Sequence, residues 1–270
     1  MDEHVCDLIR AVAADELIPR FRRLASSDVH DKSPGEVVTV ADWAAEAALS
    51  EGLLRLLPGS VVVGEEASHR DPTLISRING HEYTWLVDPL DGTKHFAAGR
   101  EPWGLMVALV QHGQVEAAWI HLPLTNKTAW GRRGGSVFLN GSPVKVPNPP
   151  PIERMRGAIL TRFLPSELKI TVEAEDSLQR TDSNHQCAAQ RYVDLLSGDE
   201  HFALYYRTLA WDHAPGTFLA QQAGAAVHRF DGSGYKPGDG GSGLLVAADE
   251  DSWRALHDRL LPQFPVRVAP

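Results

Sequence analysis

"WLVDPLDGTKHF" fills residues 85–96. The apolar run Trp85-Leu86-Val87 stops at Asp88. Pro89 and Gly92 then interrupt the backbone, with a second acid, Asp91, between them. An apolar run bounded by turn formers predicts a buried strand. Two carboxylates at the mouth of such a strand repel each other and lose hydration, so they need a compensating partner. The same order of apolar approach, acid and Gly or Pro break recurs twice. "SVVVGEE" (60–66) puts Glu65 and Glu66 after a strand, and "LAWDHAPG" (209–216) puts Asp212 at the start of a predicted helix. Taken singly, Asp-Gly reads as a turn, the Glu pair as a solvated loop and Asp212 as an N-cap. Together they predict one cleft fed by several strand ends, the usual place for ligands in α/β proteins.

The 270 residues suit one large domain or two intimately packed halves. Hydrophobic residues at 43% and charged residues at 23% give a soluble globular profile. No apolar run reaches about 18 residues, so no membrane partner is expected. The acidic N-terminus lacks the order of a secretion signal, and two cysteines make no disulfide framework, which together predict a reducing cytoplasm. A net charge of -9 without a basic run argues against binding a nucleic acid polymer. It should also repel an anionic metabolite unless something local reverses the field. The 12 histidines are scattered, with no zinc-ligand spacing.

Apolar residues Val5, Leu8, Ile9, Val12, Leu17, Phe21 and Leu24 predict an amphipathic helix over 2–25, bent or split at Pro19. A second helix is predicted over 41–57, stopped by Pro58-Gly59. Strands follow, with Asn140-Gly141 as one of the turns between them. "VPNPPPIERM" (146–155) carries three consecutive prolines and predicts a boundary between halves 1–147 and 148–270. The first half reads as α+β, helices over a largely antiparallel sheet. The second alternates strands and helices and reads as α/β. The two halves are expected to share one core.

Hard divalent cations answer the carboxylate question. Mg²⁺ takes carboxylate, carbonyl and water oxygens at about 2.0–2.1 Å. Two such ions about 3.5–4 Å apart activate a water and stabilise the leaving oxygen of a phosphate ester. They also turn a negative pocket into one that attracts phosphate.

"DPLDGT" (88–93), "GEE" (64–66), "WDHAPG" (211–216) and "KSPGEVVTVAD" (32–42) together resemble, in content and order, the motifs of the inositol monophosphatase family of Mg²⁺-dependent, lithium-sensitive phosphatases. The resemblance implies a layered αβαβα sandwich and a homodimer. It implies two or three Mg²⁺ ions held by Glu65, Asp88, the carbonyl of Leu90, Asp91 and Asp212, with Asp88 bridging. The attacking water would be activated by the ions and held by Glu65 and the Thr93 hydroxyl. Asp42 would hydrogen-bond that hydroxyl and help move the proton, and Glu66 would stand behind Glu65. The phosphate would lie on the N–H groups of Gly92 and Thr93, with Asp91 and Asp212 bordering the substrate. A Gly-Thr turn opening a helix does expose unpaired donors, and glycine allows close approach. The implied reaction is in-line attack of water on a small polyol or sugar phosphate, such as inositol 1-phosphate, without a phosphoenzyme.

The chain departs from the family pattern at several points. His95 replaces an Asn and is expected to brace its loop. Glu36 replaces an Asp, and Pro215 an Ala. Tyr205 stands where the family has a Glu that binds inositol hydroxyls, and Arg207 lies nearby. Tyr205 and Arg207 suit a different polyol, or one with another anionic group. Histidinol phosphate, fructose 1,6-bisphosphate and a 3′-phosphonucleotide therefore stay open as substrates. A haloacid-dehalogenase-type D-x-D-G-T motif does not fit the D-P-L-D-G-T spacing. A non-catalytic ligand-binding relative would have lost one of Glu65, Asp88, Asp91, Thr93 or Asp212, and all are present. Trp119 and Trp130 are read as core residues before being read as a dimer face.

Overall fold

The structure, a computed structural model, describes residues 1–181 and 187–266. Helix α1 (Asp2–Val12) leads through a π turn (Ala13–Leu17) into irregular chain. The hairpin β1 (Val29–Ser33) and β2 (Glu36–Thr39) precedes α2 (Val40–Leu56). Next come β3 (Val61–Gly64), α3 (Glu65–Arg70), β4 (Thr84–Asp91) and the short α4 (Thr93–Ala97). A meander follows: β5 (Gly104–Gln111), β6 (Gln114–Leu122), β7 (Lys127–Arg132), β8 (Val137–Leu139) and β9 (Ser142–Val144). The second half holds β10 (Arg156–Ile159), α5 (Ser166–Ala174), β11 (Gln179–Arg180) and α6 (Ala188–Ser197). It continues with β12 (Phe202–Tyr205), α7 (Ala210–Gln222), β13 (Ala226–His228), β14 (Leu244–Ala247) and α8 (Glu250–Leu260). The stretch "QCAAQRYVDLLSG" (186–198) reads as a helix ended by Gly198, and its first residue, Gln186, lies outside the described residues.

Strands β3 to β9 form one seven-stranded sheet in chain order, parallel only between β3 and β4. The second sheet runs β11-β10-β12-β14-β13 and is mixed. Period-two alternation sorts the strand residues between layers. Trp85, Val87, Leu105 and Val107 pack against α1 and α2, while Leu86, Met106 and Ala108 turn to the other face. There they meet Tyr192 and Val193 of α6, Phe218 of α7, and Val246 of the second sheet. The far face of that sheet, including Phe202 and Leu245, is covered by α5 and α8. The result is five layers, αβαβα, and the middle apolar cluster belongs to both halves.

One sequence reading needs correction. The helix predicted over 2–25 stops near Leu17, because Pro19 has no N–H to extend it. Phe21 instead folds back onto Phe96 and Trp103, with ring centroids 5.4 and 5.3 Å away. The motif at 32–42 contains a hairpin that composition does not announce; it turns at Gly35 with φ +76°. Elsewhere the turn chemistry reads directly. Asn140 and Gly141 both have positive φ, the pair of conformations of a tight two-residue hairpin. Trp119 is fully buried and so is unavailable as a dimer face.

Candidate active site

Strand β4 would send Asp88 and Asp91, three residues apart, to opposite faces. Its pairing with β5 is irregular between those residues, however, and the Asp88 carboxylate accepts the Leu90 N–H at 3.0 Å. This bulge aims both acids into one cavity of about 320 Å³. Glu65 reaches it from the first residue of α3, and Asp212 from the first turn of α7. Oxygen atoms of Glu65, Asp88 and Asp212 lie within 4.8 Å of one another. Asp91 lines the same cavity outside that trio, and its Oδ2 accepts the Ala189 N–H of α6 at 2.6 Å.

Two glycines make this convergence possible. A side chain at Gly64 would strike the Glu46 carboxylate, its Cβ 2.3 Å from Oε2. Glu46 uses that space to accept the N–H groups of Glu66 and Ala67 at 2.7 and 2.9 Å, fixing the start of α3. A Cβ on Gly216 would lie 1.9 Å from the Tyr192 ring, so the glycine lets α7 pack closely on α6. The glycines of "GEE" and "WDHAPG" are therefore packing requirements of the acids beside them.

Burial and mutual repulsion push these carboxyls up. For Asp88 and Asp212 burial is the largest cause and the Glu65 charge adds to it; both rise well above the usual range. Burial takes Asp91 to about 6, against the opposing hydrogen bond from Ala189. Glu66 rises to about 7 through burial and the Glu65 charge. Lys32, its side chain only 7% exposed, donates to Glu65 at 2.7 Å and Glu66 at 2.8 Å. Burial opposes its charge, but the two carboxylates outweigh that and raise its pKa.

Beside the acids, Gly92 adopts φ 88° and starts α4. The Thr93 hydroxyl lies 2.8 Å from the Leu90 carbonyl and 2.9 Å from Asp42 Oδ1. Asp42 belongs to the capping box of α2: its Oδ2 accepts the Thr39 N–H at 2.8 Å and the Thr39 hydroxyl at 2.6 Å. Burial raises Asp42 to about 7, even though the Thr39 bonds favour its ionised form.

The cavity's lining also includes Leu90, Tyr205 and Arg207. His95 lines it too and bonds back to Gly92 O through its backbone N–H at 2.8 Å. Arg207 forms an ion pair with Glu36, so two departures from the family pattern are partners. The sequence reading missed Lys32, Glu46, Lys94, Arg162 and Phe163. Glu46 had a signal, because it stands four residues after Asp42 on the same face of α2. Arg162 and Phe163 had another, because they follow the carboxyl end of β10.

The trio offers only hard oxygen donors, and its repulsion is relieved by a cation, so these residues suit a divalent metal ion. Among the described residues no histidine or cysteine joins such a cluster. The sequence matches the model of the inositol monophosphatase family over residues 1–267. The chain belongs to that family. A fructose-1,6-bisphosphatase/inositol-1-monophosphatase of Aquifex aeolicus is 25% identical, covering 94% of this chain and 91% of that one. The Nus factor SuhB of Pseudomonas aeruginosa is 28% identical, covering 94% of each. The Thermotoga maritima IMPase has the same fold, with TM-score 0.81 and 20% identity over 97% of this chain and 98% of that one. Inositol monophosphatase family membership makes the chain a phosphatase of small phosphorylated substrates. Among the described residues no helix is long and apolar enough to cross a membrane.

Proposed function

We propose that the chain is a Mg²⁺-dependent phosphomonoesterase acting on a small polyol or sugar phosphate, in the cytoplasm and as a homodimer. The observation that carries this is the convergence of Glu65, Asp88 and Asp212 at the floor of one cavity. Asp91 and the Leu90 carbonyl complete the set that would hold two or three ions. Bound there, Mg²⁺ neutralises the carboxylates, makes water more acidic and stabilises the leaving oxygen.

The chain's own groups do the rest. Gly92 and Thr93 offer the start of α4 to the phosphate, and glycine lets its oxygens approach the backbone. The water to be deprotonated is oriented by Glu65 and Thr93. One hydroxyl proton cannot serve both Leu90 and Asp42. With Thr93 donating to ionised Asp42, the hydroxyl oxygen is free to accept from the water and Asp42 is free to take the proton. A carboxyl with a pKa of about 7 can take up and release that proton near neutrality. Asp91, fixed to Ala189, orients the phosphate side of the site. Attack is in line on phosphorus, with no covalent intermediate. Placement and charge stabilisation supply most of the rate gain.

A phosphate-release screen over inositol, sugar, histidinol and nucleotide phosphates tests this reading. Mg²⁺-dependent turnover, abolished by a chelator and lowered at least a hundredfold in Asp212→Asn, is expected. Chelator-resistant turnover, or none on any substrate, contradicts it. The non-catalytic alternative, to which the SuhB relative's name draws attention, has in its disfavour the full set of acids and Thr93.

A further inference from the structure

Three of the four acids at the cavity floor have a bond of their own. Asp88 accepts the Leu90 N–H, Asp91 accepts the Ala189 N–H, and Glu65 pairs with Lys32. The Asp212 carboxylate has no hydrogen bond among the described residues. Its place is therefore set by the first turn of α7, which carries it. That turn is weakly held along the chain. Leu209 at the N-cap position offers no side-chain bond. Pro215 has no N–H and cannot close the helical bond to the Trp211 carbonyl. An anchor from outside the helix has to make up the difference.

Tyr192 supplies that anchor. Its hydroxyl stands 2.9 Å from Nδ1 of His213, the residue next to Asp212. Both side chains belong to buried residues, at 1% and 3% exposure. His213 is also gripped through its backbone. Its N–H donates to the Leu209 carbonyl at 3.2 Å, and its carbonyl accepts the Thr217 hydroxyl at 2.7 Å. Tyr192 lies on α6, and Ala189, one turn earlier on that helix, holds Asp91. One helix thus references an acid from each half of the chain. Gly216 leaves the room in which the Tyr192 ring lies against α7. His213 lines the cavity, and Tyr192 stands behind it, away from the lining. Tyr192 therefore acts through another residue and does not touch the substrate.

We infer that Tyr192 is a positioning residue: through His213 it fixes the first turn of α7, and so sets the Asp212 carboxylate at the separation from Glu65 and Asp88 that a divalent cation needs. This inference rests on the metal-dependent phosphatase reading. Groups that bond a metal ligand directly change metal affinity by about 10- to 100-fold. Tyr192 acts one residue further back, so its hydroxyl contributes about three- to tenfold.

The test titrates Mn²⁺ alone into the full chain by calorimetry. Tyr192→Phe removes the hydroxyl and keeps the ring over Gly216. Its Kd should rise about three- to tenfold. Turnover of p-nitrophenyl phosphate at low Mg²⁺ should fall by a similar factor and recover in excess Mg²⁺, with KM for the ester unchanged. A loss of packing alone would lower Tm and leave Kd unmoved. Tyr235→Phe is the control. It deletes another buried hydroxyl within reach of the Asp212 charge, one with no partner among the described residues, and should leave Kd unchanged. In an Asp212→Asn background, Tyr192→Phe should have no further effect on Kd. A Kd unmoved by Tyr192→Phe, an equal loss in Tyr235→Phe, or an equal loss in the Asp212→Asn background overturns the inference and leaves the phosphatase standing. If wild type binds no Mn²⁺, the metal reading falls instead. Crystal structures of wild type and Tyr192→Phe then decide the inference: a displaced Asp212 carboxylate supports it, and superimposable positions overturn it.

Discussion

Thr93 Oγ1 stands 2.9 Å from Asp42 Oδ1, a bond between residues 51 positions apart. It ties the first turn of α2 to the turn after β4, and it makes Asp42 more than a helix cap. Asp42→Asn keeps a polar partner for Thr93 but cannot exchange a proton. We expect kcat to fall about 10²- to 10³-fold while stability drops by only about 1 kcal/mol through the weakened capping box. Thr93→Val should lose a similar amount, and the double variant little more than either single one. Steady-state kinetics on the three proteins checks this. Additive losses contradict a shared proton path.

Gly92 is a second point of exposure. Its φ of 88° is strained for any L side chain, and a Cβ would lie 2.9 Å from the Pro102 carbonyl oxygen. That neighbour is backbone and cannot swing away. Gly92→Ala should lower stability by about 1–3 kcal/mol and raise KM by displacing the phosphate-facing turn. Thermal unfolding and kinetics measure the two effects. An unchanged Tm contradicts the close contact.

The acid cluster sets a pH dependence whose sign is fixed. Asp42 and Glu66 rise to about 7, and Asp91 to about 6, from ordinary values near 4. The folded state therefore holds protons more tightly than the unfolded chain. That stabilisation is complete below about pH 4 and is lost as pH climbs through the folded values. Without metal, Tm should fall between pH 5 and pH 8. Saturating Mg²⁺ should flatten the slope and raise Tm at pH 8, by about 2.7 kcal/mol of stability at a hundred times Kd. Scanning calorimetry with and without chelator checks it, and Asp88→Asn should reduce the metal-free slope. A Tm that rises with pH in chelator contradicts the account.

Lys32 gives a prediction with two opposite signs. Its ammonium neutralises Glu65 and Glu66, so Lys32→Met should lower the Tm of the metal-free protein. The same ammonium holds Glu65, which a metal ion would share. The variant should therefore bind divalent cations more tightly, by a few-fold in Kd, when titrated calorimetrically. Weaker metal binding together with a lower Tm would mean that Lys32 organises the site and does not compete for it.

Much of this architecture is legible in the chain itself, because period and punctuation carry it. The alternation of Trp85, Leu86 and Val87 between two cores, the break at Asp88 and the stop at Gly198 are local facts with local causes. The acids could be found because each ends or begins an element. The rest depends on contacts between distant residues. Glu36 and Arg207 are 171 positions apart, and nothing in either neighbourhood announces the pair. The Glu46 carboxylate needs the space left by Gly64, 18 positions on, and sequence shows only a Glu on a helix and a Gly before an acid. The early end of α1 was marked by Pro19, but aromatic packing of Phe21 decided where the chain went next.

The claim beneath all of this is that Glu65, Asp88 and Asp212 hold divalent cations. A crystal grown in Mn²⁺, a stand-in for Mg²⁺ with a usable anomalous signal, tests it directly. At least one anomalous peak should lie among those three carboxylates, at oxygen distances close to those of Mg²⁺, and Lys32 should be shifted off Glu65. Side chains placed as described, with no peak among them in saturating Mn²⁺, would contradict it.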